Sequence, residues 1–272
     1  MNGVCAECAA RPLLLERLAA HIDTAVDRRR GSRALDLLAL DDRELAAAVV
    51  GDRSRRAAAV EGCRSPESAR ALGRRLEGSG CWMVCRHEEG WPGEFERLGD
   101  GAPAALFGRG DRAHLLAMHD AVTVVGARRA SAYGREVAEA LGFGLSSAGV
   151  LVISGLALGV DSAVHEGSVK AGRPALAVLA ASPDRAYPQR ASRLYRDLVG
   201  AGGAVVSELP PGSPLRRWMF PARNRLMAAL GELTVVVEAA ERSGSLITAE
   251  MAADCGRTVA AVPGPVNSWR SS

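Results

Sequence analysis

Aromatic residues are scarce: Phe, Trp and Tyr together make up 4% of the 272-residue chain. A surface that holds a polymer by serial stacking is therefore excluded, and any stacked contact must come from a few rings. Lysine is nearly missing, because Lys170 is the only one and the other 33 basic residues are arginines. That bias matches a GC-rich genome. The lysine-bearing phosphate loop GxxxxGK[ST] is absent, and with it the usual apparatus of nucleotide hydrolysis. No GxSxG elbow presents a serine nucleophile. No apolar run reaches 18 residues, which argues against a membrane span. The start of the chain lacks a basic segment followed by an apolar one, so no secretory signal is expected and the cytoplasm is the default compartment.

What is present is an ordinary globular balance, 48% hydrophobic and 24% charged, with a net charge of +3 and thirty glycines. Residues 121–272 carry 16 basic and 12 acidic side chains, so an anion-binding surface belongs in the second half. Six cysteines stand at irregular spacings and read as reduced thiols. Cys5-x-x-Cys8 and Cys81-x-x-x-Cys85 could supply four zinc ligands if the two segments meet, with His87 and His21 as substitutes. Unliganded thiols are the simpler reading, and neither a metal nor a cofactor is expected.

Two regions differ in pattern. Residues 1–80 read as a small helical module: Leu13, Leu14, Leu18, Ile22 and Val26 recur at helical spacing, and Ser65-Pro66-Glu67 marks a later helix start. Residues 81–272 read as a second domain. Cys81–Cys85 and Ala104–Phe107 are short strand candidates. Six apolar runs follow, at Val122–Val125, Val150–Ile153, Ala175–Leu179, Ala204–Val206, Thr234–Val237 and Thr258–Val262. Helical stretches separate them, so the expected fold is α/β, a doubly wound parallel sheet. Ligands of such sheets bind at the carboxyl ends of the strands.

The loops after those runs share small residues, arginine and helix starts. Gly126-Ala127-Arg128 follows the first run; it is not GxGxxG, but its helix start offers amides and Arg128 a planar fork for phosphate. Ser154-Gly155 follows the second, with Asp161 as a helix-cap candidate and His165 one turn further on. Phe220-Pro221-Ala222-Arg223-Asn224-Arg225 places two arginines and an aromatic at another helix start, which suits a phosphate chain with one stacked base and equally a cap with surface arginines. Ser243-Gly244-Ser245 forms a further anion nest.

In order and spacing these segments, with Glu241-Arg242 before the last and Val262-Pro263-Gly264 after it, resemble the motif series of the DNA-processing protein DprA/Smf family. The resemblance covers about residues 80–267. It implies an extended Rossmann-like domain that binds single-stranded DNA, protects incoming DNA in natural transformation and loads the RecA recombinase. It also implies a homodimer without cofactor or catalysis. By motif position the implied DNA-binding residues are Gly126, Arg128, Ser154, Gly155, Phe220, Arg223, Asn224, Arg225, Ser243, Gly244 and Ser245. The family continues past its Val-Pro-Gly strand with an Asn-containing motif and often a winged-helix domain, whereas this sequence stops at Ser272. An alternative function is that of a related nucleotide-cleaving, phosphoribohydrolase-like protein. Such enzymes carry paired glutamates where this chain offers Glu250 alone. A sensor of a nucleotide-derived signal could use the same anion loops.

Overall fold

Short polar side chains set the helix ends of the first eighty residues. Asp41 accepts from the backbone of Arg43 and Glu44 while Glu44 reaches back to the Asp41 amide, a complete capping box. Ser65 caps the next-but-one helix with Pro66 in its first turn. The computed structural model describes residues 4–26, 32–116, 120–240 and 243–264. Glu241 and Arg242 of the motif series and the chain end from 265 onward lie outside them.

Five helices come first: α1 (Ala6–Ala25), α2 (Ser32–Ala39), α3 (Asp42–Val49), α4 (Arg53–Arg64) and α5 (Pro66–Ser79). Two strands, β1 (Trp82–Cys85) and β2 (Ala105–Gly110), flank a 3-10 turn, Gly93–Gly101. After the short α6 (Ala113–Leu116), strands and helices alternate: β3 (Ala121–Val125), α7 (Ala132–Ser147), β4 (Leu151–Ser154), α8 (Val160–Lys170), β5 (Ala175–Val178), α9 (Ser192–Gly200), β6 (Ala204–Ser207), α10 (Met219–Leu230), β7 (Leu233–Val236), α11 (Gly244–Asp254) and β8 (Thr258–Ala261).

The sheet order is β1-β2-β6-β5-β4-β3-β7-β8. From β6 to β8 all neighbours are parallel, while β2 pairs antiparallel with β6 and β1 with β2. The chain winds one way from β3 to β6 and then crosses to the other side of β3 with β7. The β3/β7 boundary is therefore the topological switch point, where a doubly wound sheet opens a crevice.

Both sheet faces are packed. Val124, Val152, Val164 and Leu198 belong to the core under α7, α8 and α9; Val125, Ile153, Val206, Leu226 and Leu230 belong to the core under α10. The helical module packs on the second half through a shared cluster in which Leu14, Leu18 and Ile22 meet Leu209, Trp218 and Met219. Trp218 donates its indole N–H to the Ala19 carbonyl at 3.0 Å, so its polar edge is satisfied inside that contact.

Candidate nucleic-acid interface

The switch point opens a cleft of about 370 Å³ that brings together the turn at Gly126–Arg128, the start of α10 and the Ser243–Ser245 turn. A second hollow of about 190 Å³ shares Arg128, Ala157, Phe220 and Arg223 with it and adds Gly155, Leu158, Ala180 and Tyr187. Motifs about 120 residues apart in sequence thus line one continuous surface.

Backbone contacts lock the loops to one another. Ala127 donates to the Glu238 carbonyl at 2.6 Å, and Val160 donates to the Ala127 carbonyl at 3.2 Å. Gly159 adopts φ +87°, and a Cβ there would strike the backbone of Ala127 and Arg128, so only glycine allows this approach. Gly126 is held equally closely, against Val160 and the Glu238 carbonyl. It shapes the turn.

The helix starts do not all remain available to an anion. At the head of α7, Glu238 accepts from both the amide and the hydroxyl of Ser131, each at 2.9 Å. The Ser131 amide is thus met by an internal carboxylate, and the Gly134 amide by the Ser131 hydroxyl (3.0 Å). After β4, Asp161 accepts from the amides of Gly155 (3.1 Å) and Ala157 (3.4 Å). Asp161 is thus not the helix N-cap, a position held by Gly159; it closes the preceding turn from inside α8. At α11, Ser243 caps the helix through Leu246, and Ser243, Gly244 and Ser245 all face the cleft. This third helix start is turned toward the open surface.

The arginines divide into three roles. Arg128 is exposed, with its guanidinium 5.0 Å from the Phe220 ring centroid. Arg223 lines both hollows but is 7% exposed, and it donates to the carbonyls of Gly155 (2.8 Å) and Val178 (2.6 Å). Burial pushes its guanidinium down to about 10, with Asp161 opposing that shift and Arg128 adding to it. The same dehydration pushes the Asp161 carboxyl up, against the Arg223 charge and its two amide donors. Arg128, Arg223 and Asp161 are the charged side chains among the described residues lining the cleft, so positive charge exceeds negative. Arg225 lies elsewhere: it is 4% exposed, absent from the cleft wall, and bound to both oxygens of Glu208.

Three expected contact residues have their side chains engaged by internal partners. Arg225 does not reach the cleft, because α10 begins at Met219 and carries it inward. Ser154 is fully buried and donates to the Val124 carbonyl at 2.7 Å, tying β4 to β3. Asn224 reaches the cleft wall with its amide engaged, donating to the Gly244 carbonyl (3.2 Å) and accepting from Arg223 (3.2 Å). It links α10 to the α11 turn. Gly155 is needed for packing, since a Cβ there would strike the Arg223 guanidinium. Tyr187 and Leu158 were not evident from sequence. They are 45% and 40% exposed at the rim, and the Tyr187 ring lies 5.9 Å from Phe220. Tyr187 sits in the glycine-free loop Asp184-Arg185-Ala186-Tyr187-Pro188, outside the motif series; its only clue was the scarcity of aromatics elsewhere.

His165 is fully buried behind the Ser154 turn, and desolvation pushes it down to about 4, with the Arg223 charge adding to the shift. It is a neutral core side chain. Glu250 is exposed on α11 and does not line the cleft. Among the described residues no helix is long and apolar enough to cross a membrane.

An extended Rossmann-like sheet with a crevice at its switch point, lined by Arg128, Arg223 and the α11 start, defines a class of doubly wound α/β proteins. Within that class the sequence profile of the DNA recombination-mediator protein A family matches residues 82–272, and the chain belongs to this family. It is 37% identical over 201 residues to Protein Smf of Escherichia coli, covering 71% of this chain and 53% of that protein. It is 39% identical over 162 residues to DNA processing protein DprA of Bacillus subtilis, covering 60% of this chain and 54% of that one. The chain thus spans about half the length of these curated relatives. The crystal structure of DprA from Streptococcus pneumoniae superposes with a TM-score of 0.69 at 27% identity, covering 94% of this chain and 89% of that one. A Helicobacter pylori DNA processing protein A, described for its single-stranded DNA binding mode, gives 0.61 at 26% identity over 69% of this chain and 82% of that one.

Proposed function

We propose that the crevice holds the sugar–phosphate backbone of single-stranded DNA and that the chain acts in DNA processing during transformation and recombination. In this reading it protects incoming strands and passes them to RecA, works as a homodimer in the cytoplasm, and carries out no catalysis of its own. Residues 1–80 serve as a helical module and residues 81–272 as the DNA-binding domain. The observation that carries the reading is the combination of exposed Arg128, the α11 start and the Phe220–Tyr187 pair on one continuous surface. Arg128 and the α11 amides suit phosphates, and the rings suit one base in any sequence. Membership of the DNA recombination-mediator protein A family and the single-stranded DNA binding described for the Helicobacter pylori relative support the same assignment.

The test is a fluorescence-anisotropy titration with oligothymidylate, mixed-sequence single strands, duplex and a mononucleotide at several salt concentrations. Single strands should win over duplex and mononucleotide, with less than roughly 100-fold preference among sequences, or about 2.7 kcal/mol. A tighter mononucleotide, or release of a free base from it, would replace this reading with the nucleotide-sensing or nucleotide-cleaving one.

A further inference from the structure

Four soft donors converge where the first helix meets the edge of the sheet. Cys5 immediately precedes α1 and Cys8 lies in its first turn. Cys85 ends β1, and the Glu88 amide bonds to the Cys85 carbonyl at 2.9 Å, closing a turn that swings His87 back toward the helix. The ligand atoms of Cys5, Cys8, Cys85 and His87 all lie within 4.8 Å of one another. His87 Nδ1 is 3.5 Å from the sulfurs of both Cys5 and Cys8. In a tetrahedral zinc site, Zn–S near 2.3 Å and Zn–N near 2.05 Å place sulfur and nitrogen about 3.6 Å apart and two sulfurs about 3.8 Å apart. The side chains therefore already stand close to the required spacing.

We propose that Cys5, Cys8, Cys85 and His87 form a structural zinc site that fastens the start of α1 to strand β1. Three thiols and one imidazole are a soft donor set suited to zinc, and four protein ligands leave no open position for a substrate. Cys8 and Cys85 are buried at 0% and 1% exposure and pack with Ala105 of β2. On the outer side His87 Nε2 lies 4.0 Å from the Glu7 carboxylate, the kind of second partner that orients a metal-bound imidazole. Cys81, one of the four cysteines that the sequence offers as possible ligands, instead packs with Leu72, Leu76 and Phe107. None of the four ligands lines the cleft, so this site is independent of the DNA-binding proposal.

The test uses the full chain, produced without a metal-binding tag in zinc-supplemented medium and analysed by elemental mass spectrometry. One equivalent of zinc per chain is expected. Cys8→Ser and His87→Ala should lose it, and Cys63→Ser and Cys255→Ser should retain it. After metal removal, cobalt(II) titration of the unsubstituted chain should give the visible absorption of a tetrahedral thiolate site, with a lower melting temperature for the metal-free form. This arm also decides the matter if the cysteine variants fail to fold. A chain that purifies without zinc and gives no such cobalt spectrum would overturn the site. So would a disulfide among Cys5, Cys8 and Cys85, or stoichiometric iron.

Discussion

One guanidinium nitrogen of Arg225 donates to both carboxylate oxygens of Glu208, at 2.7 and 2.8 Å, with the two side chains 5% and 10% exposed. The pair joins α10 to the loop after β6, and Arg225 also donates to the carbonyls of Gly101 and Ala222. Removing one partner leaves a buried charge uncompensated, which costs about 3–5 kcal/mol. Arg225→Ala should therefore lower the urea midpoint strongly, whereas the folded fraction should keep its affinity for single-stranded DNA. An unchanged midpoint together with weakened binding would return Arg225 to the cleft.

Gly155 and Arg223 form a second dependent pair. A Cβ at Gly155 would occupy the space of the guanidinium that donates to the Gly155 carbonyl. Gly155→Ala should push Arg223 out of its seat at about 1–3 kcal/mol, the usual cost of overpacking. Binding should weaken more than tenfold, because Arg223 supports the cleft wall beside Arg128. Equal affinity in a folded Gly155→Ala protein would show that the position of Arg223 is immaterial to the ligand.

The six parallel strands and the helices between them were legible because short apolar runs differ from the helix-length stretches around them; β8, at the sheet edge, keeps such a run although it is largely exposed. The motif residues after these strands also gather along one cleft. The division of labour among them was not legible. Arg223 and Arg225 have the same charge and sit two positions apart, yet one lines the cleft and the other is turned to Glu208, because both lie inside α10, where residues two apart point to different sides of the helix. Glu238 could not be assigned to the α7 start, since that contact joins residues 107 positions apart, whereas Asp161, read as a cap for its own helix, instead reaches back to the Gly155 amide just before it. Helix α4 is not legible in the pattern, because its four arginines among alanines give little periodic apolar signal. The addition of β1 and β2 antiparallel to β6 depends on long-range pairing that local pattern does not encode.

His165 gives a pH dependence of defined sign. In the folded chain it remains neutral down to about 4, whereas the unfolded chain takes up a proton near the ordinary value of 6.5. Between those values the unfolded state binds more protons, so stability falls as pH drops through the window. The full loss for this group is about 3 kcal/mol, since each pH unit of difference is worth about 1.4 kcal/mol. Urea titrations at pH 7 and pH 4.5 should show that His165→Leu loses less stability on acidification than the unsubstituted chain, whatever its stability at pH 7. Parallel losses would mean that His165 is not the group responsible.

Arg128 separates charge from packing most cleanly, because it is exposed and its described contact is the face of Phe220. Arg128→Ala should leave the melting temperature nearly unchanged and weaken all single-stranded sequences alike. Losing one phosphate contact on a single strand should flatten the log–log salt slope by about 0.7. Arg128→Lys should restore the slope but only part of the affinity, since lysine keeps the charge and loses the planar fork that lies over the ring. Phe220→Leu should show the opposite pattern, reduced affinity by about 1–3 kcal/mol at an unchanged slope, if the ring stacks a base. The two variants thus read separate components of one surface. If Arg128→Ala changes neither affinity nor slope in a folded protein, the backbone does not run past the β3 turn. The strand would then have to be sought on a different face.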